Sequence, residues 1–370
     1  MRDYHGIIFA YSAAPELRTL VAHRTAASLP FCGRYRLIDL ALSSLRNAGI
    51  LDVGVIMQRD YQSLLDHLGS GKPWDMSRKT GGLRMLPPFG LPEYHRGDYA
   101  GTMEALNAVS SYIRDIPQKH LVLLQGNLCA NLDLSEAIRC HEQSGADFTA
   151  ICAPSVSDGR HHYYRLGEDG LVKHIYFYRE PGCEGYPSLE GYIVHKDALL
   201  ELMQSCQADR LYRFHRDAIP LFLEQGGKMN VYLHESYASA IRTVDQYYRA
   251  GMDMLEGRLR RQIFPADRPV RAKHHEEVSS YYGVSAVARR SLVADNCIIE
   301  GSLENCIVFS GVRIAKGAKL KNCILMRGVT IGEGVELRHV IVDKYSSICP
   351  GVTLTGSEKL PVVVPKFSNI

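Results

Sequence analysis

The C-terminal quarter of the chain repeats itself every seventeen residues, and no other feature restricts the fold as tightly. Leu303, Leu320, Leu337 and Leu354 fall in one row, Ile314, Ile331 and Ile348 in a second, and Gly317, Gly334 and Gly351 in a third. Within each unit the apolar positions recur every five or six residues. That spacing closes a chain as a triangular parallel β-helix: one apolar side chain per face stacks on its equivalent a coil below, and glycine stands where the backbone turns a corner. A degenerate earlier coil begins near Ser291-Leu292-Val293. Cys306 and Cys323 share a row, and parallel strands about 4.8 Å apart hold such small apolar side chains in register without a bond. A stack only a few coils tall packs one face on something else, here expected to be the rest of the chain and a second subunit.

Upstream, short β-branched runs alternate with longer helical stretches, the pattern of a mostly parallel sheet covered on both faces. Ile7–Ala10, Val53–Met57, His120–Gln125 and Phe148–Ala153 are the clearest strands. Arg36–Ala48, Tyr61–Leu68, Met103–Ser111, Leu134–Ser144 and Asp197–Met203 are the expected helices. Pro73–Tyr99, rich in Gly and Pro, is expected to be a long loop over a ligand site, with Trp74 as its anchor. The domain division is then 1–243 for the α/β domain, 244–285 for a helix and linker broken at Phe264–Pro269, and 286–370 for the β-helix.

At 370 residues the chain suits about two domains. A net charge of +3 asks for neither nucleic acid nor a membrane surface. Met1–His5 runs into a strand without a signal-peptide pattern, no apolar run is long enough to span a bilayer, and the ten cysteines show no paired spacing. A cytoplasmic protein with reduced thiols is expected. His161-His162 and His274-His275 lack a carboxylate or third histidine at ligand spacing, so no metal site is expected there.

The first strand–turn–helix unit, Gly6–Ile50, is where a nucleotide phosphate would sit on a glycine-rich turn. Its turn, Tyr11–Leu17, has no glycine. Downstream of it, Pro30-Phe31-Cys32-Gly33-Arg34-Tyr35-Arg36-Leu37-Ile38-Asp39, together with an α/β domain joined to a β-helix, resembles the bacterial ADP-glucose pyrophosphorylase (glucose-1-phosphate adenylyltransferase) family. Gly101-Thr102, Leu123-Leu124-Gln125-Gly126 and Asp217-Ala218-Ile219-Pro220 extend the match. The resemblance implies a Rossmann-like nucleotidyltransferase sheet domain and a left-handed β-helix, and a reaction joining AMP from ATP to glucose 1-phosphate with release of pyrophosphate. Gly101, Thr102 and Gly126 would belong to what remains of the nucleotide pocket.

Position by position, the groups that reaction needs are missing. The family's glycine-rich loop falls on Ala10–Leu17, where Glu16 replaces a phosphate-binding arginine. Its following lysine is Ala26. The aspartate that would hold magnesium is Asn127, the second metal aspartate is Arg213, and the sugar-phosphate lysine is Glu180, beside Arg179. The resemblance therefore implies a non-catalytic, regulatory (GlgD-type) subunit, with no metal of its own and magnesium only in a catalytic homologous partner. A tetramer working in glycogen synthesis is implied. The family's phosphorylated-sugar effectors bind at positions matching Arg24 and Arg36; Arg34 and Gln58 lie in the same segments. Two alternatives stay open: a weakly active transferase with a site rebuilt on Asp98, Asp133 or Asp217, and a stand-alone sensor of a sugar phosphate or nucleotide.

Overall fold

A computed structural model of the chain describes residues 3–11, 14–87, 99, 101–154, 162–177, 185–273 and 277–370. The strands between Tyr4 and Leu233 build a nine-stranded mixed sheet with helices on both faces. Its order runs Val172–Tyr176, Tyr163–Leu166, Tyr186–His195, His120–Gln125, Tyr4–Phe9, Val53–Ile56, Leu83–Leu86, and Phe148–Cys152 joins Tyr186–His195 to Met229–Leu233. The strands around Tyr4–Phe9 are parallel, with Ile8 opposite Val55 and Leu124. Tyr186–His195 runs antiparallel to its neighbours, as Val172–Tyr176 does to Tyr163–Leu166, and these pairings make the sheet mixed.

Alternation along Tyr4–Phe9 divides the core. Ile8 packs with Ile38, Leu42 and Ile151 on one face, and Ile7 and Phe9 pack with Met103, Leu106 and Phe148 on the other. Helix Leu37–Asn47 starts where Asp39 accepts the Arg36 N–H at 2.9 Å. Helix Leu134–Ser144 starts where Asp133 accepts the Glu136 N–H at 3.1 Å and stops at Gly145, whose φ of 59° suits a residue without Cβ. The stretch expected as one long loop after Pro73 instead contains Leu83–Leu86, an edge strand parallel to Val53–Ile56. Its four residues sit between Gly81-Gly82 and Pro87-Pro88, punctuation that masks so short a strand in the sequence.

Beyond Tyr281 three five-stranded parallel sheets form the left-handed β-helix. The rows read from the sequence are its stacks: Leu303, Leu320, Leu337 and Leu354 pair in order, as do Ile314, Ile331 and Ile348. Gly317, Gly334 and Gly351 turn one corner at φ of 74°, 64° and 77°. No disulfide joins the described cysteines; the Cys306 thiol donates to the carbonyls of Glu304 and Leu320 at 3.3 and 3.4 Å.

The two bodies share one apolar cluster. Leu17, Leu20, Leu29, Phe31, Tyr247 and Tyr248 meet Ile307, Ile324 and Ile341 on the outer wall of the β-helix. Helix Val244–Asp253 lies between them, capped by reciprocal Thr243 and Gln246 hydrogen bonds. Tyr247 Oη donates to the Pro30 carbonyl at 2.6 Å, and Tyr248 Oη donates to the Asn322 carbonyl at 2.8 Å. Residues 264–273 then run back along the sheet domain. Arg268 pairs with Asp133 at 2.8 Å, Trp74 Nε1 donates to the Arg271 carbonyl at 3.0 Å, and the Arg271 N–H reaches Ser43 Oγ at 2.9 Å. Among the described residues no helix is long and apolar enough to cross a membrane.

Candidate functional site

The segment from residue 14 that follows the first strand packs apolar side chains into the core. Pro15–Val21 forms a tight helical turn that buries Leu17 and Leu20, and Ala26 and Ala27 are sealed in the following turn. A lysine at position 26 would place its stem and charge in that cluster. Tyr11 occupies the first position of the loop, its ring edge-on to Tyr99 at 5.1 Å and to Phe9 at 6.0 Å. Phe9, Tyr11 and Tyr99 thus form an aromatic cluster at the start of the turn. Glu16 is exposed and lines a separate cavity with Arg18, Asp245 and Lys359, so its charge does not enter the Tyr11 pocket.

Gly126 and Gly101 keep their frame. A Cβ at Gly126 would lie 2.9 Å from Ala27 Cβ, and one at Gly101 only 2.1 Å from the Tyr212 carbonyl oxygen. Thr102 opens the helix Thr102–Ala108, whose Met103 N–H also bonds to the Tyr212 carbonyl at 3.1 Å. Asn127 is buried, and its Nδ2 donates to the Ile241 carbonyl at 2.8 Å, bracing the short Leu128–Ala130 and Ala238–Ala240 ladder. Arg213 is exposed, and its N–H bonds to Asp217 at 3.0 Å. Asp133 caps a helix and pairs with Arg268, so neither it nor Asp217 stands as a free ligand. Glu180, Arg179 and Asp98 lie outside the described residues.

A second cavity, of about 360 Å³, opens beside Tyr11 and is lined by Ala14, Arg24, Thr25, Gln58 and Arg59. Arg24 and Gln58, singled out from the sequence, thus meet at one place. Arg24 is 4% exposed and pairs with the fully buried Asp343 of the β-helix. Nη1 of the same guanidinium donates to Met326 Sδ at 3.9 Å. Arg36 donates to the Ser63 carbonyl at 2.6 Å and to Ser63 Oγ at 3.0 Å. Burial, and to a lesser degree the nearby Arg24, push its guanidinium down to about 10 against the opposing pull of Asp39. Arg34 is exposed on the hairpin tip.

Sequence reasoning missed Lys344. It follows Asp343 in the β-helix, and burial, then Arg36 and Arg24, push its ammonium down to about 7. Lys366 adds to the same field. The interface therefore gathers Arg24 and Lys344 around the buried Asp343, with Arg36 close by and held by Asp39 and Asp66. No repeat position or motif marks Lys344; only closure of the β-helix against the sheet domain brings it there.

A nucleotidyl transferase family model matches residues 5–256, and one of the GlmU-like C-terminal hexapeptide repeat matches residues 274–359. Over 98% of its length the chain is 32% identical to 95% of the glycogen biosynthesis protein GlgD of Bacillus subtilis (strain 168). The chain belongs to the glucose-1-phosphate adenylyltransferase family as a GlgD homologue. Named glucose-1-phosphate adenylyltransferases align less closely. That of Clostridium perfringens (strain 13 / Type A) is 27% identical over 99% of this chain and 94% of its own, and that of Geobacillus stearothermophilus 29% over 84% and 81%. The magnesium chemistry of such transferases requires hard anionic oxygens on the metal. Here the matching positions offer an amide already bonded to a carbonyl and a guanidinium, and these do not fit magnesium.

Proposed function

We propose that this chain is a non-catalytic regulatory subunit that modulates a catalytic homologue in ADP-glucose formation for glycogen synthesis. The observation that carries the reading is Asn127. An aspartate there would present two anionic oxygens to a metal; the amide instead spends its N–H on Ile241 and neutralises the position. Arg213 puts a cation where the second metal aspartate would stand, and the phosphate turn has no glycine and begins with Tyr11 against Tyr99. A scaffold kept without its charged groups suits a partner subunit better than an enzyme. Adenylyl transfer is then confined to the partner, which supplies both magnesium ligands.

The regulatory site of this reading is the cavity where Arg24 and Gln58 meet, with Arg36 and Lys344 adding to its field. Its lining brings Arg24 and Arg59 together beside Asp60, and planar guanidinium groups grip the phosphate of a sugar bidentately. A tetramer containing both subunit types, in the cytoplasm, completes the proposal.

The test is a rate assay of the catalytic homologue alone, of this chain alone, and of the co-expressed pair, with ATP, magnesium and glucose 1-phosphate. The reading expects background turnover from this chain alone and a changed rate or saturation in the mixture. Turnover by this chain alone comparable to the homologue would refute it. Binding of a sugar phosphate without any effect on the homologue would make it a stand-alone sensor instead.

A further inference from the structure

Two backbone irregularities aim side chains at one point near the Tyr11 pocket. The Tyr186–His195 strand slips register against Phe148–Cys152 between Ser188 and Gly191, a β-bulge. At the bulge Glu190 adopts a left-handed backbone with φ of 57°, a conformation that non-glycine residues hold only under constraint. Its N–H is tied to Ser188 Oγ at 3.0 Å. Opposite, His215 sits in the single π-helical turn Phe214–Ala218, a local distortion frequent at functional sites. His162 completes the group, its backbone carbonyl accepting the Ser188 N–H at 2.8 Å.

His162 Nε2 lies 3.4 Å and His215 Nε2 3.8 Å from the same oxygen, Glu190 Oε1. One ligand atom from each residue falls within 4.8 Å of the other two. Those separations are long for N–H···O hydrogen bonds, whose usual length is about 2.9 Å. They suit a shared ion: bonds of about 2.0–2.1 Å in a tetrahedral site hold ligand atoms about 3.3 Å apart. His162 Nδ1 is buried and has no hydrogen-bond partner among the described residues. His215 Nδ1 is fixed 2.8 Å from Tyr192 Oη, which is itself 2.8 Å from Tyr164 Oη. That outer hydrogen bond is the kind a metal-bound imidazole makes, and it turns Nε2 toward Glu190.

We propose that His162, Glu190 and His215 form a binding site for a divalent transition-metal ion, zinc foremost. Two imidazoles with one carboxylate select such an ion over magnesium, which prefers oxygen alone. Three protein ligands leave a fourth position for water or a bound group. Arg242 donates to Glu190 Oε1 at 2.6 Å. A carboxylate oxygen has lone pairs for both an N–H and an ion, but the guanidinium charge opposes the ion, so the site binds more weakly than it would without Arg242.

The test loads chelator-treated full-length chain with Zn²⁺, and separately with Mg²⁺, by calorimetric titration. One equivalent of Zn²⁺ per chain is expected, with no response to Mg²⁺ at the same concentration. Loss of either imidazole, in His162→Ala or His215→Gln, should weaken Zn²⁺ binding at least about 10-fold, and Arg242→Gln should tighten it. Co²⁺ should give visible ligand-field absorption that both histidine variants lose. Unchanged Zn²⁺ stoichiometry and affinity in the double histidine variant would overturn the site. Should that variant fail to fold, zinc-edge X-ray absorption of the unmodified chain decides: nitrogen and oxygen ligation with imidazole scattering is expected, and sulfur ligation refutes it.

Discussion

Asp343→Asn tests how the two domains are joined and what the joint binds. Asp343 is fully buried and Arg24 is 4% exposed, so neither charge has water to fall back on. Removing the carboxylate leaves Arg24 and Lys344 without the counter-charge they share, with Arg36 nearby. Breaking a buried pair from one side costs about 3–5 kcal/mol. A Coulomb estimate of about 4 kcal/mol for unit charges 4 Å apart at an effective dielectric near 20 agrees. For 370 residues at about 2.1 cal/mol/K each, the unfolding entropy is about 0.8 kcal/mol/K, so the midpoint should fall by about 4–6 °C. Trp74, the one tryptophan, is buried and bonded to Arg271 in the segment 264–273, and reports the transition by fluorescence. Added phosphate should then stabilise the variant more than the unmodified chain, because an anion can take the place Asp343 has vacated, giving about 2.7 kcal/mol at a hundredfold excess over Kd. Arg24→Met combined with Asp343→Leu should recover most of the loss. A loss under about 1 kcal/mol in Asp343→Asn, or equal stabilisation of both proteins by phosphate, would refute the reasoning.

Other changes probe the remaining features. Lys344 is held near 7 in the fold against an ordinary value of about 10.4, so between those limits the unfolded chain carries a proton the folded chain has released. Stability should therefore rise with pH from 7 toward 10, with the full penalty present below 7, and Lys344→Met should flatten that slope in urea titrations. Gly101→Ala puts a Cβ 2.1 Å from the Tyr212 carbonyl oxygen and should cost about 1–3 kcal/mol in denaturant melts. Tyr11→Gly should admit ADP-glucose more tightly by calorimetry while turnover stays at background; turnover restored by that change alone would contradict the role given to Asn127 and Arg213. Trp74→Phe deletes the hydrogen bond to Arg271 and should cost about 1–2 kcal/mol, read by circular dichroism.

The β-helix was legible because stacking imposes its own period: Leu303 and Leu320 must be seventeen residues apart to meet. The central strands were legible for a related reason, since Ile7 and Ile8 face opposite sides and both are buried. Leu83–Leu86 was hidden, because an edge strand of four residues between glycines and prolines carries no period to detect. In the site, the losses at Ala26, Asn127 and Arg213 could be read by position within a matched frame. Their consequence could not, because the Asn127 amide finds its partner at Ile241. Nor could the Arg24–Asp343 pair, separated by 319 residues, or the meeting of His162 with Glu190 and His215. A bulge and a π-turn create that meeting, and neither has a sequence period.

Helix Val244–Asp253, wedged between sheet and β-helix, bears on how the molecule comes apart. Its Tyr247 and Tyr248 bond to opposite bodies, and its apolar face is continuous with both. Neither body can then loosen without exposing apolar surface on the other, so calorimetry should record one endotherm whose van't Hoff and measured enthalpies coincide. Mechanically the helix is a keystone: an anion that tightens the joint at Arg24 stiffens the whole chain, including the surfaces it would offer to a neighbouring subunit.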